Sequence, residues 1–361
     1  MKFVHIADMH FDCPFINLAD KDGLGDIRRL EQRKVFKKVI EYIKENNIEL
    51  LLISGDLYEH QYVKKSTIEY INQLFKEIPN TRIFISPGNH DPYLKNSYYN
   101  KFLWSENVKI FTSKIEKVEL EDVNIYGFGF DNFYCRDVDI ESIELNNKNK
   151  FNFLVIHGTL DGANLDDREY NSMSKKMLKE KGFDYVALGH IHKLDYNQEE
   201  NQNIVYPGST VSLGFDELGK HGMIVGNIDE KGLKLEFVPL DEREFKLQEI
   251  DVTELQSKED LIEKINELEF LDKELIEIIL VGKRNFEIDK YELYKLISND
   301  KIIKIKNKTK VNYNLNELSN NTTLKGLFAM EMLNKLENPN LTEEQKEIIE
   351  NAIEIGMEAL N

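Results

Sequence analysis

Cysteine is nearly absent. Cys13 and Cys135 are the only two in 361 residues, far apart and without C-x-x-C spacing, which excludes a disulfide framework and a cysteine zinc site. No apolar run approaches the roughly 20 residues of a membrane helix. The opening MKFVHIADMH has one lysine and no long apolar stretch behind it, so no signal peptide is expected and the cytoplasm is the expected location. Positive charge is also short: 47 Lys and Arg stand against 65 Asp and Glu, a net charge of −18. A field of that sign repels polyanions at long range, so contact with nucleic acid would need local basic patches or bound cations. Part of the excess lies near the C-terminus, where Glu331, Glu337, Glu343, Glu344, Glu347, Glu350, Glu354 and Glu358 face only Lys335 and Lys346.

A hydrophobic content of 41% is enough for a core, and the length suggests about two domains. KFVHIA (2–7), ELLLIS (49–54) and TRIFIS (81–86) read as apolar strands, alternating with helical spacing over 31–45 and 64–77. Strands of that kind, separated by helices, predict a parallel sheet covered by helices. Further strands are expected at 122–128, 151–156, 184–188 and 203–206, and a hairpin at 221–239 turning near Asp229–Gly232. The closer spacing of these later strands suggests a second, more antiparallel sheet. The fold class is therefore α/β, a two-sheet sandwich flanked by helices. After Asp241 the rhythm restarts, with strands at 245–251, 274–282 and 301–306 and helices at 257–270 and 289–297. The expected domains are 1–240, a small α/β module at 241–307, a polar linker at 308–321 and a helical pair at 322–361. Thr342 followed by Gln345 is a capping-box signature for the last helix, whose apolar stripe is Ile349, Ala352, Ile353, Gly356 and Leu360.

Chemistry gathers where strands end. Asp8 and His10 follow the first strand and, two apart, could face one ion. Asp56 follows ISG, and IFISPGNHDPY (83–93) runs a buried-type strand into Asn89, His90 and Asp91. His157 ends FLVI, and His190 and His192 sit in LGHIH. In open α/β sheets the carboxyl ends of the strands are where ligands bind, and five of the eight histidines lie there.

The ordered motifs DMH (8–10), GDLYE (55–59), GNHD (88–91), HG (157–158) and GHIH (189–192) resemble those of the calcineurin-like metallophosphoesterases over roughly residues 1–240. Within that family the chain looks most like the SbcD-type DNA exonucleases and their YhaO-like relatives, given FVHIADMHFD, the YPGS at 206–209 and the small module with a helical tail. The resemblance implies two divalent cations, with Asp8, His10 and His192 on one, Asn89, His157 and His190 on the other, and Asp56 bridging. Their mixed O and N ligands suit Mn²⁺ best, with Fe²⁺, Zn²⁺ or Mg²⁺ as alternatives. His90 would face the reacting phosphate, with Asp91 a candidate to orient its ring. The implied activity is hydrolysis of DNA phosphodiester bonds in DNA repair. The implied partners are DNA, an SMC-like coiled-coil ATPase docked on the terminal helices, and a second copy in a homodimer. Two alternatives stay open: a phosphoesterase for a small-molecule or protein phosphate, and a scaffold subunit of the ATPase complex.

One departure matters. Some family nucleases carry a histidine after the second motif, where this chain has Glu59 and then His60. For DNA contacts the sequence offers Arg28, Arg29, Arg33, Lys64 and Lys65, which flank the first two motifs. His5 alternates away from Asp8 and reads as structural, and His221 has no assigned role.

Overall fold

Three apolar stretches share one register, and that register places the site. In the computed structural model, β1 (Lys2–Ile6), α1 (Leu24–Asn46), β2 (Leu50–Ile53), α2 (Lys65–Lys76) and β3 (Arg82–Ile85) follow in order. The strands pair in parallel with Ile6 opposite Ile53 and Ile53 opposite Ile85, so the three loops leave the sheet at one edge. The structure describes all residues except 16, 17, 19–22, 135–137, 146–149, 162–169, 198, 199, 201 and 361; Cys135 therefore lies outside the described residues. Among the described residues no helix is long and apolar enough to cross a membrane.

The chain divides into two units, Met1–Phe245 and Lys246–Asn361. The first continues with α3 (Tyr98–Lys101), β4 (Val108–Ile110), β5 (Glu116–Glu119), β6 (Val123–Gly127), β7 (Phe151–His157), α4 (Lys175–Lys181), β8 (Tyr185–Gly189), β9 (Ile204–Val205), β10 (Gly222–Asp229) and β11 (Gly232–Pro239). One sheet runs β11-β10-β1-β2-β3-β4 and the other β5-β6-β7-β8-β9. Side chains alternate across a strand, and the two faces of the first sheet separate accordingly. Val4, Ile6, Leu51, Ile53, Ile83 and Ile85 pack with Val35, Val39, Ile43 and Ile71 of the helices. Phe3, Leu50, Leu52 and Phe84 instead meet Ile125, Phe153, Val155, Tyr185 and Ala187 of the second sheet. The result is the expected sandwich.

Two expectations are corrected. The second sheet is mainly parallel, only β5 and β6 pairing antiparallel, and the 221–239 hairpin belongs to the first sheet, where β10 pairs antiparallel with β1. Close spacing of strands in sequence does not fix pairing; here the free edge of β1 takes the hairpin, which buries Met223, Ile224 and Ile228. α1 also begins seven residues before the helix read at 31–45. Its core-facing positions are Leu24, Arg28, Gln32, Val35, Phe36, Val39, Ile40 and Ile43, and with Arg28 and Gln32 among them the apolar period is visible only from Val35.

The second unit takes up β12 (Glu244–Asp251) from Lys246 onward and contains α5 (Lys258–Asn266), β13 (Glu274–Val281), β14 (Lys283–Arg284), α6 (Lys290–Leu296), β15 (Ile302–Asn307), β16 (Lys310–Val311), α7 (Leu315–Leu318), α8 (Leu324–Leu336) and α9 (Glu343–Ala359). β12, β13 and β15 form one sheet, whose Ile276, Ile278, Leu280 and Ile305 bury Leu261, Ile265 and Leu293 of α5 and α6. The stretch read as a linker carries β16, paired with β14, and α7. In α9, Ile353 and Met357 pack on Ala329 and Phe328 of α8. Thr342 N donates to Gln345 Oε1 and Gln345 N to Thr342 Oγ1, closing the capping box.

Candidate metal centre

Five loops converge at the carboxyl edge of the sandwich. Asp8 N donates to Gly55 O at 3.1 Å and His10 N to Asp56 O at 2.8 Å, tying the first two loops together. His90 N donates to Asp56 Oδ1 at 2.8 Å, bringing in the third. His157 stands opposite Gly189 in the second sheet, and His190 N donates to both oxygens of Asp8 at 3.1 Å. Asp8, His10, Asp56 and His190 all have left-handed backbone, φ 50°, 47°, 51° and 101°. That conformation costs a residue other than glycine about 1–3 kcal/mol, and such strain collects at functional sites.

Among the described residues three groups of potential ligands result: Asp8 with His10 and His192, Asp8 with Asp56 and His157, and His10 with Asp56 and His90, the ligand atoms of each group lying within 4.8 Å of one another. Hydrogen bonds on the outer ring nitrogens decide which inner atoms are lone pairs. His10 Nδ1 is bonded to Glu59 Oε1 at 2.8 Å, and His192 Nδ1 to Glu217 Oε1 at 2.6 Å. Acceptors there make both Nδ1 atoms donors, so in the neutral rings the two Nε2 lone pairs face each other at 3.1 Å. The same logic applies to His157. Its Nδ1 donates to Ser54 O at 2.8 Å, and its Nε2 meets Asn89 Oδ1 at 3.0 Å and Asp56 Oδ2 at 3.4 Å. Lone pairs and carboxylate oxygens converging in a buried site need positive charge between them. Protons supply part of it here: burial opposes charge on His157 and His192, but Asp56 for the first and Glu217 for the second outweigh it and hold each pKa at about 9. Divalent cations would supply it fully, and imidazoles whose second nitrogen is fixed by a carboxylate or carbonyl are the usual form of such ligands. The donor set fits a pair of divalent ions.

Most of the sequence-predicted residues meet here. Asp8, His10, Asp56, Asn89, His157 and His192 are brought together. His190 lies beside them, its ring 5.2 Å from that of His157, but it belongs to none of the three groups. His90 is close to His10 and Asp56, with its side chain 44% exposed and its Nδ1 3.0 Å from Glu59 Oε2. Asp91 does not orient that ring. It is fully buried and accepts from Gly88 N at 2.7 Å, Asp56 N at 3.1 Å, Leu57 N at 2.7 Å and Tyr99 Oη at 2.6 Å. Four donors saturate the carboxylate, so Asp91 ties the second loop to the third, and Glu59 takes the part expected of it. His60 packs on Phe133. His5 is structural, bonded to Tyr185 Oη at 2.9 Å and Ser54 Oγ at 3.0 Å; burial pushes its pKa down to about 3. His221 bonds Ser209 O and Glu217 O and so supports the loop that presents Glu217.

Arg28 is a correction. It is fully buried, donating to Asp241 Oδ2 at 2.7 Å, Glu31 Oε2 at 2.7 Å and Ser212 O at 2.9 Å, and cannot reach a phosphate. Arg29 is bonded to Asp26 and Cys13 O, Arg33 to Asp12 and Thr67, and Lys65 lies 3.2 Å from Glu69. Lys64 is exposed. Two acids of the site escape the sequence reading. Glu59 reads there only as a substitute for a family histidine, although a carboxylate three residues after Asp56 can also serve as a histidine's outer partner. Glu217 lies in GFDELGK, which carries no local signal.

The sequence has known counterparts. A model of the calcineurin-like phosphoesterases matches residues 1–194. The "Uncharacterized metallophosphoesterase YhaO" of Bacillus subtilis is 24% identical over 277 residues, 74% of this chain and 67% of the relative. The SbcD subunit of the nuclease SbcCD of Staphylococcus epidermidis is 31% identical over 301 residues, 73% of this chain and 75% of the relative.

Proposed function

This chain belongs to the calcineurin-like phosphoesterases, metal-dependent hydrolases, and from that premise we propose that it is a two-metal phosphodiesterase acting on DNA, a nuclease of the SbcD kind with a role in DNA repair. The observation that carries the reading is the convergence of lone pairs in two adjoining groups that share Asp8, beside an exposed imidazole. Asp8, His10 and His192 would hold one cation, Asn89, His157 and His190 the other, and Asp56 would bridge; Mn²⁺ is the ion proposed. When bound, the pair supplies Lewis acidity to the phosphoryl group and activates the attacking water. Glu59 and Glu217 fix the tautomers of His10 and His192. His90 holds the mobile proton. Burial opposes its charge, but Asp56 and the bond to Glu59 hold its pKa at about 9, so with Nδ1 on Glu59 its Nε2–H is free to protonate the leaving oxygen.

Purified full-length protein with Mn²⁺ is expected to cleave linear DNA and bis-p-nitrophenyl phosphate faster than the mono-ester. Rapid monoester turnover without DNA cleavage would instead support a phosphoesterase for small or protein phosphates, a reading favoured by the charge of −18 and the engaged arginines. Glu59→Gln gives a second test. The protonated His90 is the active form and the carboxylate raises its pKa, so the neutral amide is expected to move the alkaline limb of the kcat profile down by about one pH unit. An unmoved limb would assign that limb to another group.

The terminal helices support a partner. α9 buries one face, yet Ile348 and Ile355 are 61% and 69% exposed, as are Leu324 at 69% and Leu327 at 52% on α8. Apolar positions on a solvent-facing helix suit a coiled-coil partner such as an SMC-like ATPase. The variant Ile348→Glu/Ile355→Glu is expected to lose co-purification with such a subunit while changing stability by less than about 0.5 kcal/mol. A complex that survives both changes would remove this surface.

A further inference from the structure

Aromatic rings rim the metal centre, and none takes part in the chemistry above. Phe130 anchors their segment: its N donates to Pro87 O at 2.9 Å, and its ring meets that of His157 edge-on at 5.7 Å. Just beyond it in sequence, two neighbours engage opposite sides of the site. Phe133 packs on His60 at 5.8 Å, whose backbone N is bonded to His90 O at 3.0 Å. Tyr134 stacks on Tyr170 at 6.1 Å with 25° between the planes, and Tyr170 lies 4.8 Å from the ring of His190. The rings thus form an arc from the loop of His90 to the loop of His190. Tyr134 is 55% exposed, so an aromatic face of this group is open to solvent.

The surrounding charge bears on what the arc holds. Of the five cations flanking the first two motifs, Arg28, Arg29, Arg33 and Lys65 are engaged by acidic side chains. With four of these five already facing acids on a chain of −18, the described cations of this flank offer little electrostatic grip on a duplex backbone. Stacking is the other way to hold nucleic acid beside a catalytic centre. It needs no cation and accepts any base, because every base has a π-face.

We propose that Phe133, Tyr134 and Tyr170 form a stacking platform for an unpaired nucleobase adjoining the phosphodiester at the metal centre, so that a single-stranded nucleic acid end is preferred over intact duplex. The proposal rests on the nuclease reading and specifies its substrate. A paired base inside a duplex has both faces covered by its neighbours and cannot stack flat on the rings without leaving the helix, whereas a single-stranded end lays its base on Tyr134 at no such cost.

The test is binding of a DNA trinucleotide with phosphorothioate links and a terminal 2-aminopurine, whose fluorescence falls on stacking. The full-length chain is loaded with Zn²⁺, a diamagnetic ion that leaves the probe alone. The expected result is quenching with the wild type and with Tyr134→Phe, and binding about tenfold weaker for Tyr134→Ala and for Tyr170→Ala. The ratio of affinities for the 2-aminopurine probe and an abasic one should fall by the same factor. Zinc content and a thermal melt identify a variant that has misfolded. No binding, binding without quenching, or equal losses on both probes would overturn the platform. The nuclease reading fails separately, by hydrolysis of bis-p-nitrophenyl phosphate with none of any oligonucleotide, and that result leaves the fluorescence readout intact.

Discussion

Asp56→Asn is expected to remove both metal and activity, whereas His90→Gln keeps the metal and loses about 10²–10⁴-fold in kcat. Asp56 is buried, and its Oδ2 lies 3.7 Å from His10 Nε2 and 3.4 Å from His157 Nε2, while its Oδ1 holds His90 N. An amide keeps the volume but removes the negative charge that Oδ2 presents to both imidazoles, and it turns an acceptor into a donor aimed at lone pairs. Loss of an outer hydrogen-bond partner costs about 10–100-fold in metal affinity; loss of the shared carboxylate is expected to exceed that. His90 differs because its Nδ1 is taken by Glu59 and its side chain reaches solvent. Metal content after gel filtration, measured with steady-state rates at saturating Mn²⁺, separates the two. Equal metal loss in both variants would make His90 a ligand of its group with His10 and Asp56, and would assign proton donation elsewhere.

The contrast also locates what was legible in the sequence. Strand ends are readable because a short apolar run followed by Gly-Asp or Gly-Asn-His-Asp has few other folded solutions. The parallel register that aligns Ile6, Ile53 and Ile85 then brings Asp8, Asp56 and Asn89 to one edge without further information. The C-terminal capping box was legible for the same local reason. Pairing across the sandwich was not: nothing in HGMIVGNID says that β10 joins β1, because the choice depends on which backbone edge is left free. The part of α1 before residue 31 was hidden by Arg28 and Gln32, polar residues whose partners are far away in sequence: Asp241 and Ser212 O for the first, Met9 O and His10 O for the second. Arg28 therefore read as a surface cation when it is a buried pillar. Asp91 and Glu59 exchanged parts for a related reason. Adjacency to His90 suggested Asp91, but consecutive side chains on a turn diverge, and the ring is reached by a carboxylate from the neighbouring loop.

Gly189→Ala is expected to cost about 3 kcal/mol of stability, the upper end for overpacking, or about 10 °C in melting temperature for a unit of this size, together with metal affinity. A Cβ on Gly189 would lie 1.9 Å from Ser54 O and 3.0 Å from His157 Nδ1. Ser54 follows β2 in the first sheet and Gly189 ends β8 in the second, so at this glycine the two sheets approach too closely to admit a side chain. The same carbonyl accepts the proton of His157 Nδ1 at 2.8 Å. A methyl group that pushes Ser54 O away releases the bond fixing which nitrogen of His157 faces Asp56 and Asn89. Gly182→Ala provides the matching control. Gly182 has φ +80° with nothing within 4 Å of its added Cβ, so its cost is backbone strain alone, about 1–2 kcal/mol, with metal content unchanged. If Gly189→Ala melted like Gly182→Ala and kept its metal, the close approach of the sheets would not be what positions His157, and the convergence of lone pairs on which the two-metal reading stands would lose its structural cause.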